Sequence, residues 1–274
     1  MIIRDFDDSQ LNIFVNSTEN ELKRAREPKP GFFMAESPNV IERALNDGYV
    51  PEEVLVEESV MDVPVIQRIL SDYDIPVYVA SAEKMQTIRG FEMTRGALCV
   101  MNRRELTSAE EILEKISISK QKSAIRIAIL EDVMNPTNLG AIFRSAAALG
   151  MDAVFLTGGC SDPLYRRAAR VSMGTVFQVP WAWTEDIQKL LEILKNTGFV
   201  SVAMALDDRA VRLGDKCLEG HEKMAILLGS EGYGLKEDTI KACDYTVMIP
   251  MSAGVDSLNV AAASSVVFWE LGSL

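Results

Sequence analysis

The chain has 274 residues, of which 48% are hydrophobic and 25% charged, with a mean hydropathy of +0.07 and a formal net charge of −12. This composition is typical of a globular protein with a large core, and it excludes an intrinsically disordered chain, a collagen-like repeat and a small disulfide-stapled domain. The length favours two domains over one.

No apolar run reaches the roughly 18 residues that a membrane-spanning helix needs, and the acidic N-terminus is unlike a secretory signal. We therefore expect a cytoplasmic protein without a membrane partner. The residues that hold metals through sulfur or imidazole are few and far apart: Cys99, Cys160, Cys217, Cys243 and His221. We expect no zinc site, no disulfide framework and no other bound metal.

The first 118 residues alternate short apolar runs with helical periodicity, which predicts a small three-layered α/β domain at residues 1–118. Its strands are predicted at residues 53–57, 76–80 and 97–101. Its helices are predicted at residues 39–47 and 63–70, from a cap at Ser81 to residue 88, and from a cap at Thr107 or Ser108 to residue 116.

A polar stretch without periodicity at residues 117–123 predicts a linker at residues 119–124 and a second domain at residues 125–274. The apolar runs of the second domain are nearly continuous, as parallel strands covered on both faces should be. Strands are predicted at residues 125–130, 153–156, 200–205, 224–228 and 245–249, and helices at residues 138–149, 163–170, 185–196 and 257–271.

The negative net charge, taken alone, argues against a nucleic-acid partner, because proteins that hold this polyanion usually show a basic footprint. Basic residues nevertheless cluster locally, at residues 23–29 and at Arg166, Arg167 and Arg170. Either cluster could form a basic RNA-binding face.

Three segments of the second domain carry polar residues that a purely structural domain would not need. In the first, Pro136 directs Asn135 away from a helical conformation, and Thr137 or Asn138 can cap the helix that follows. Arg144 lies about 240° around that helix from Asn138. A capping asparagine and a solvated arginine are the structural alternative.

The second segment is a glycine loop, Leu228-Gly229-Ser230-Glu231-Gly232-Tyr233-Gly234-Leu235, directly after an apolar strand. Glycines let backbone N–H groups approach a ligand closely. The loop has no Lys-Ser/Thr as a P-loop would, and Glu231 would repel phosphate, so a cationic or neutral ligand is indicated. An ordinary turn is the alternative.

The third segment runs from Ile249 to Ala263, where a loop follows a strand and leads into a helix of small residues. Ser257 is the expected N-cap of this helix. Asn259 would lie in the first turn, where it has no evident structural duty.

Together and in this order, the three segments closely resemble the motifs of the SpoU (TrmH-like) family of RNA ribose 2′-O-methyltransferases in the SPOUT superfamily. The resemblance covers roughly residues 124–274. One departure is Gly254, which lies one place later than the loop glycine of the family. The matching positions are Asn135, Asn138, Gly140 and Arg144 for N-x-x-N-x-G-x-x-x-R, residues 228–235 for L-G-x-E-G-x-G-L, and residues 249–251 with 257–260 for I-P-M…S-L-N-V.

The resemblance implies a C-terminal parallel α/β SPOUT domain whose last segment threads a loop to form a trefoil knot. It also implies a homodimer formed through the knotted domain. The N-terminal part looks like the ribosomal-protein-like substrate-binding domain that precedes many such domains. Glu36 and Ser37 stand where that domain usually has a Glu-Gly pair.

The resemblance further implies S-adenosylmethionine as cofactor and ribosomal RNA as substrate. The implied cofactor-binding residues are Gly229, Ile249, Leu258, Met251 and Leu206. The implied catalytic residues are Arg144, which would act on the ribose hydroxyl, and Asn138, Glu231, Ser257 and Asn259, which would orient it and the substrate. Because an arginine is essentially always protonated, Arg144 would stabilise a developing alkoxide or grip phosphate rather than act as a base.

Three alternatives stay open. A tRNA ribose 2′-O-methyltransferase of the same superfamily is the main competitor. An inactive RNA-binding relative would be expected to lose Arg144 or Asn259, and both are present. A classical Rossmann methyltransferase would have a glycine-rich turn after its first strand, and residues 131–138 contain no glycine.

Overall fold

The computed structural model describes residues 1–7, 9–87, 96–119, 124–207, 210–252 and 257–272. The chain forms two compact units: unit 1 is Met1–Glu105 with Leu164–Gln178, and unit 2 is Leu106–Pro163 with Val179–Leu274. None of the helices in the described ranges is both long and apolar enough to cross a lipid bilayer.

The strands and helices are numbered in chain order. The strands are β1 (Ile2–Ile3), β2 (Phe32–Glu36), β3 (Pro51–Glu57), β4 (Val77–Ala80), β5 (Ala97–Asn102), β6 (Ile125–Leu130), β7 (Ala153–Thr157), β8 (Trp181–Thr184), β9 (Val200–Met204), β10 (Val211–Arg212), β11 (Lys223–Leu228) and β12 (Tyr245–Met248). The helices are α1 (Asn12–Val15), α2 (Glu19–Arg24), α3 (Pro38–Asn46), α4 (Pro64–Asp72), α5 (Ala82–Thr87), α6 (Ala109–Ser119), α7 (Pro136–Ala148), α8 (Arg166–Val171), α9 (Ile187–Asn196), α10 (Glu237–Ala242) and α11 (Val260–Leu271).

Unit 1 contains a mixed sheet in the order β1-β4-β3-β5-β2, in which β1, β4 and β3 are parallel and β5 is antiparallel to both of its neighbours. The predicted α/β character of the N-terminal part is confirmed. Ser37 follows β2 with a φ of 90°, a conformation that glycine adopts without strain, which explains why a glycine is usual at this place.

Residues 164–178 belong to unit 1, where α8 is tied to β2 by a buried carboxylate. The side chain of Glu36 is 1% exposed; Arg166 Nε donates to its Oε2 at 2.8 Å, and Arg170 Nη1 lies 3.4 Å from its Oε1. Two arginines of the predicted basic cluster therefore serve an internal ion pair, which reduces the charge that this cluster can offer to RNA.

Unit 2 contains a sheet in which every pair of neighbouring strands is parallel, in the order β10-β12-β9-β11-β6-β7-β8. Strands β6 and β7 are buried along their whole length. The predicted parallel α/β fold is confirmed. The implied knot stays a prediction, because the segment between β12 and α11 includes residues 253–256, Gly254 among them, which lie outside the described residues.

Helix α6 belongs to unit 2, because its apolar face, with Ile112, Leu113 and Ile116, packs in the same core as β6 and β11. Unit 2 therefore begins at Leu106, whereas the polar stretch at residues 119–124 suggested a boundary after this helix. Residues 120–123 of this stretch lie outside the described residues, and the linker at residues 119–124 stays a prediction.

Each predicted strand and helix corresponds to an element of the structure, with ends that differ by at most three residues within the described ranges. Ser81 Oγ accepts from Lys84 N and Ser108 Oγ accepts from Glu111 N, as expected of caps. The elements that the sequence did not predict are short: β1, α1, α2, β2, β8, β10 and α10. These elements have two to six residues, which is too short for the hydrophobic pattern of a helix (period 3.6) or of a strand (period 2) to be recognised.

Candidate active site

The three motifs meet at the carboxyl edge of the parallel sheet of unit 2. Strand β11 lies between β9 and β6, and β12 lies on the other side of β9. Since these strands run in the same direction, the segments that follow them emerge at one edge, which is where ligands bind in open α/β sheets.

A cavity of about 400 Å³ opens at this edge. All five predicted cofactor-binding residues line it, together with Glu231 and Ser257 of the predicted catalytic set. The cavity size is within the usual range for small-molecule sites. The five cofactor-binding candidates are Leu206 after β9, Gly229 after β11, and Ile249, Met251 and Leu258 after β12.

The glycine loop closes on itself directly after β11. Ser230 N donates to Gly234 O at 3.2 Å and Gly234 N donates to Ser230 O at 2.9 Å. A Cβ on Gly229 would lie 2.1 Å from the carbonyl carbon of Gly234 and 2.2 Å from Leu235 N. Only glycine at position 229 allows this closed turn, which forms one wall of the cavity.

Two helix starts carry the asparagines of the motifs. Asn135 is the N-cap of α7, and its Oδ1 accepts from Thr137 N at 2.8 Å. Asn259 is the N-cap of α11, and its Oδ1 accepts from Ala261 N at 3.0 Å. The expectation that Ser257 caps this helix was wrong. Because asparagine and serine are equally favoured as N-caps, the sequence does not decide between Ser257 and Asn259. The helix begins at Val260, so the residue before it, Asn259, is the cap.

A directed chain of hydrogen bonds joins the three motifs. Asn259 Nδ2 donates to Asn138 Oδ1 at 3.2 Å, and Asn138 Nδ2 donates to Glu231 Oε1. Because Asn259 Oδ1 is occupied by the start of α11, its amide must present N–H to Asn138. Asn138 must then present its own N–H to the carboxylate, so the start of α11 sets the orientation of Glu231.

Arg144 does not join this chain. It is exposed on α7, and within the described part of the protein its side chain makes no hydrogen bond or ion pair. The structure thus brings Asn138, Glu231 and Asn259 into contact and places Ser257 at the cavity, but it leaves Arg144 directed to solvent. Its predicted catalytic role stays a prediction.

Polar residues that no sequence motif indicated surround Lys236, which follows the glycine loop. Lys236 Nζ lies 2.8 Å from Asp132 Oδ2, and Lys236 N donates to Glu131 Oε2 at 2.8 Å. The bond from Lys236 holds the pKa of Asp132 below its ordinary value and raises the pKa of Lys236. The sequence feature that could have indicated these contacts is the acidic pair Glu131 and Asp132, directly after the buried strand β6.

In the described ranges, no group of three or more histidine, cysteine, aspartate and glutamate side chains is placed to hold a metal ion. Cys160 is buried, and its Sγ lies 3.2 Å from Leu130 O. Burial raises the pKa of this thiol, which keeps it protonated and unreactive.

The family model described as the SpoU rRNA Methylase family matches residues 126–269. An uncharacterized tRNA/rRNA methyltransferase of Mycobacterium tuberculosis is 35% identical over 267 residues, which are 97% of this chain and 89% of the relative. The 23S rRNA (guanosine-2'-O-)-methyltransferase RlmB of Acinetobacter baylyi is 30% identical over 209 residues, 75% of this chain and 82% of that protein.

Among solved structures, the AdoMet-bound rRNA methyltransferase of Sinorhizobium meliloti has a TM-score of 0.79 at 20% identity, covering 98% of this chain and 97% of that one. The SpoU methyltransferase AviRb of Streptomyces viridochromogenes has a TM-score of 0.74 at 20% identity, covering 96% and 95%. At this identity, the likeness concerns the fold, which both structures share with this chain over nearly its whole length.

The directed chain of hydrogen bonds predicts different effects for two substitutions of Asn259. Asn259→Asp keeps an oxygen to cap α11 but has no N–H for Asn138, so the side-chain amide of Asn138 should lose its fixed orientation while Tm stays within about 2 °C. Asn259→Ala should also lower the stability, by about 1 kcal/mol, because the cap is lost. Side-chain amide NMR signals of Asn138 and thermal unfolding measure the two effects. An unchanged Asn138 signal in Asn259→Asp would contradict the directed chain.

Proposed function

Because the chain belongs to the SpoU rRNA methylase family, we propose that it transfers the methyl group of S-adenosylmethionine to a ribose 2′-hydroxyl of ribosomal RNA in the cytoplasm. The observation that carries the proposal is that residues of the second and third motifs line one cavity of unit 2, and that Asn138 of the first motif is hydrogen-bonded to Glu231 and Asn259. A relative that is 30% identical is a 23S rRNA (guanosine-2'-O-)-methyltransferase by name, which favours ribosomal RNA over tRNA.

The cavity suits S-adenosylmethionine in its chemistry. Its walls include apolar side chains such as Leu206, Met251 and Leu258, which fit a neutral adenine, and the backbone of the glycine loop offers hydrogen bonds. Glu231 places a carboxylate at the cavity, which favours a cationic ligand over a phosphate. When bound, the cofactor supplies an electrophilic methyl group on a positively charged sulfur.

The residues around the cavity then have to position the ribose and manage one proton. In-line attack forms the O–CH₃ bond, breaks the S–CH₃ bond and releases the proton of the 2′-hydroxyl. Such a reaction depends mainly on holding the reacting atoms about 3–3.5 Å apart. Asn138, Asn259 and Ser257 are the residues proposed to orient the ribose. Glu231, fixed by Asn138, is the carboxylate that lines the cavity and can accept the proton.

Arg144 is the proposed group that stabilises the charge developing on the 2′-oxygen or grips the adjacent phosphate. It lies on the helix that carries Asn138, about 9 Å further along the axis. Its guanidinium makes no bond to other described residues, which leaves it available to RNA. A protonated arginine cannot be the base, so its role differs from that of Glu231.

The proposed function is tested by incubating the protein with methyl-labelled S-adenosylmethionine and size-separated RNAs, then mapping the modified nucleotide. We expect label in 23S or 16S ribosomal RNA and resistance of the modified position to alkaline cleavage, because a methylated 2′-oxygen cannot attack the phosphate. Label confined to tRNA would support the alternative substrate. Binding of RNA without any transfer would identify an inactive relative.

Substitution of Arg144 tests whether the protein is an enzyme or only binds RNA. Arg144→Ala is expected to lower single-turnover methylation about 10²–10³-fold, as the loss of one preorganised charge at a reacting oxygen does, while cofactor affinity and folding persist. Arg144→Lys should restore little, because an ammonium does not reproduce the guanidinium fork. Lys195→Ala, at an exposed position of α9, is the control. A rate within threefold of the parent would show that Arg144 is only a solvated helix residue.

We also propose that two copies associate through α11. This helix is apolar on nearly every face, and Val266 and Trp269 are 41% and 72% exposed. A second copy packed there would remove both side chains from water. Light scattering at micromolar concentration should give the mass of a dimer, and Trp269→Glu should give a monomer. Ile118→Glu, on α6, should leave the dimer intact, and a monomeric parent would refute the proposal.

A further inference from the structure

The exit of the glycine loop is held at a point that is separate from the cavity lining. Lys236 is the first residue after the loop. Its backbone N–H donates to Glu131 Oε2 at 2.8 Å, and its Nζ lies 2.8 Å from Asp132 Oδ2. Neither acidic residue lines the cavity, and the chemistry proposed above uses none of the three.

The position of Asp132 is fixed by the ends of β6 and β7. Thr157 Oγ1 accepts from Asp132 N at 3.0 Å and donates to Asp132 Oδ1 at 2.9 Å. Asp132 has a φ of 56°, and a Cβ on Gly159 would lie 2.2 Å from its Oδ1. One carboxylate oxygen is thus held by the sheet, and the other is left facing the ammonium of Lys236.

Glu131 is the second fixed point. Its side chain is 1% exposed, and its Oε1 accepts from Thr239 Oγ1 at 2.9 Å on α10. With Lys236 N bound to its other oxygen, this buried carboxylate has a hydrogen-bond donor at each oxygen, as a buried charge requires. The backbone of the loop exit and the start of α10 are therefore both attached to the end of β6.

The glycine loop is consequently tied at two places. Asn138 holds Glu231 in the first half of the loop, and the acidic pair after β6 holds Lys236 at its end. Between the two ties lie Gly232 and Gly234, which on their own would let the chain sample many conformations. Fixing the exit therefore restricts the backbone that faces the cavity.

We infer that Lys236 is a positioning residue for S-adenosylmethionine, because its ion pair with Asp132 and its backbone bond to Glu131 hold the glycine loop in the conformation that binds the cofactor. The inference rests on the proposed function, since it takes the cavity as the cofactor site. Loss of the ion pair should weaken cofactor binding by loosening the loop, while the methyl-transfer step and RNA binding persist.

Two substitutions test the ion pair without disturbing the backbone bond. Lys236→Met removes the ammonium but keeps the N–H that binds Glu131. Asp132→Asn removes the charge, keeps the bond to Thr157 and suits the left-handed conformation. Each should raise the Kd for S-adenosylmethionine, measured by calorimetry without RNA, about three- to fivefold, because the ammonium is largely exposed and the pair is correspondingly weak.

The double variant and two matched variants make the result specific. Lys236→Met with Asp132→Asn should bind no more weakly than Lys236→Met alone, since that variant already lacks both the ion pair with Asp132 and the longer contact of Nζ with Glu131 Oε1 at 3.8 Å. Lys236→Arg should bind the cofactor as the parent does. Lys241→Met, which removes an ion pair with Glu237 on the same helix α10, should leave cofactor affinity unchanged.

Steady-state kinetics complete the test. The KM for S-adenosylmethionine should rise in Lys236→Met, while kcat and the KM for RNA stay within twofold of the parent values. Unchanged cofactor affinity in both single variants, additive losses in the double variant, or a fall in kcat alone would each overturn the inference. If the affinities change as expected but the parent methylates no RNA ribose, the proposed function fails while the positioning role stands.

Discussion

The parallel direction of β9, β11, β12 and β6 is the constraint on which the site depends. Since β11 lies between β9 and β6, and β12 borders β9, the segments after these four strands emerge side by side. The first motif, at residues 135–144, therefore meets the second and third, at residues 228–235 and 249–260, at one edge. The central strands β6 and β11, which are apolar and buried over nearly their whole length, fix this arrangement, so the polar residues that follow the strands can be selected for chemistry rather than for folding.

Within that arrangement, the polar contacts have a direction. The first N–H groups of α11 need acceptors, and Asn259 supplies one. Because the amide oxygen of Asn259 accepts this bond, its amide N–H donates to Asn138 Oδ1. The amide N–H of Asn138 then donates to the Glu231 carboxylate. A structural requirement at a helix start is thereby converted into a fixed orientation of a carboxylate at the cavity. The same asparagine serves both the fold and the site.

The sequence predicted the long elements well because their periodicity extends over many residues. It also predicted the cavity lining: all five cofactor-binding candidates implied by the family resemblance line the cavity, four of them within the motifs and Leu206 after β9. It did not identify residues 164–178 as part of unit 1, because the attachment of Arg166 to Glu36 joins residues 130 positions apart. Periodicity carries no information on such a contact. The ties of Lys236 to Glu131 and Asp132 were missed for the same reason.

The net charge of −12 raises the question of how the chain holds a polyanion. Internal ion pairs leave few cations for RNA, since the single carboxylate of Glu36 pairs with both Arg166 and Arg170. Arg126 in unit 2 is likewise unavailable, because its buried guanidinium donates to backbone carbonyls of Leu271, Glu222 and His221.

Arg144 is in the opposite environment. It is exposed, and it has no partner in the part of the chain that the structure describes. Its location on the helix that begins at the site makes its charge local to the proposed reaction. A chain of this kind can recognise RNA through a few well-placed cations and hydrogen bonds rather than through a broad basic surface, and its affinity should then fall with salt less steeply than that of a strongly basic RNA-binding protein.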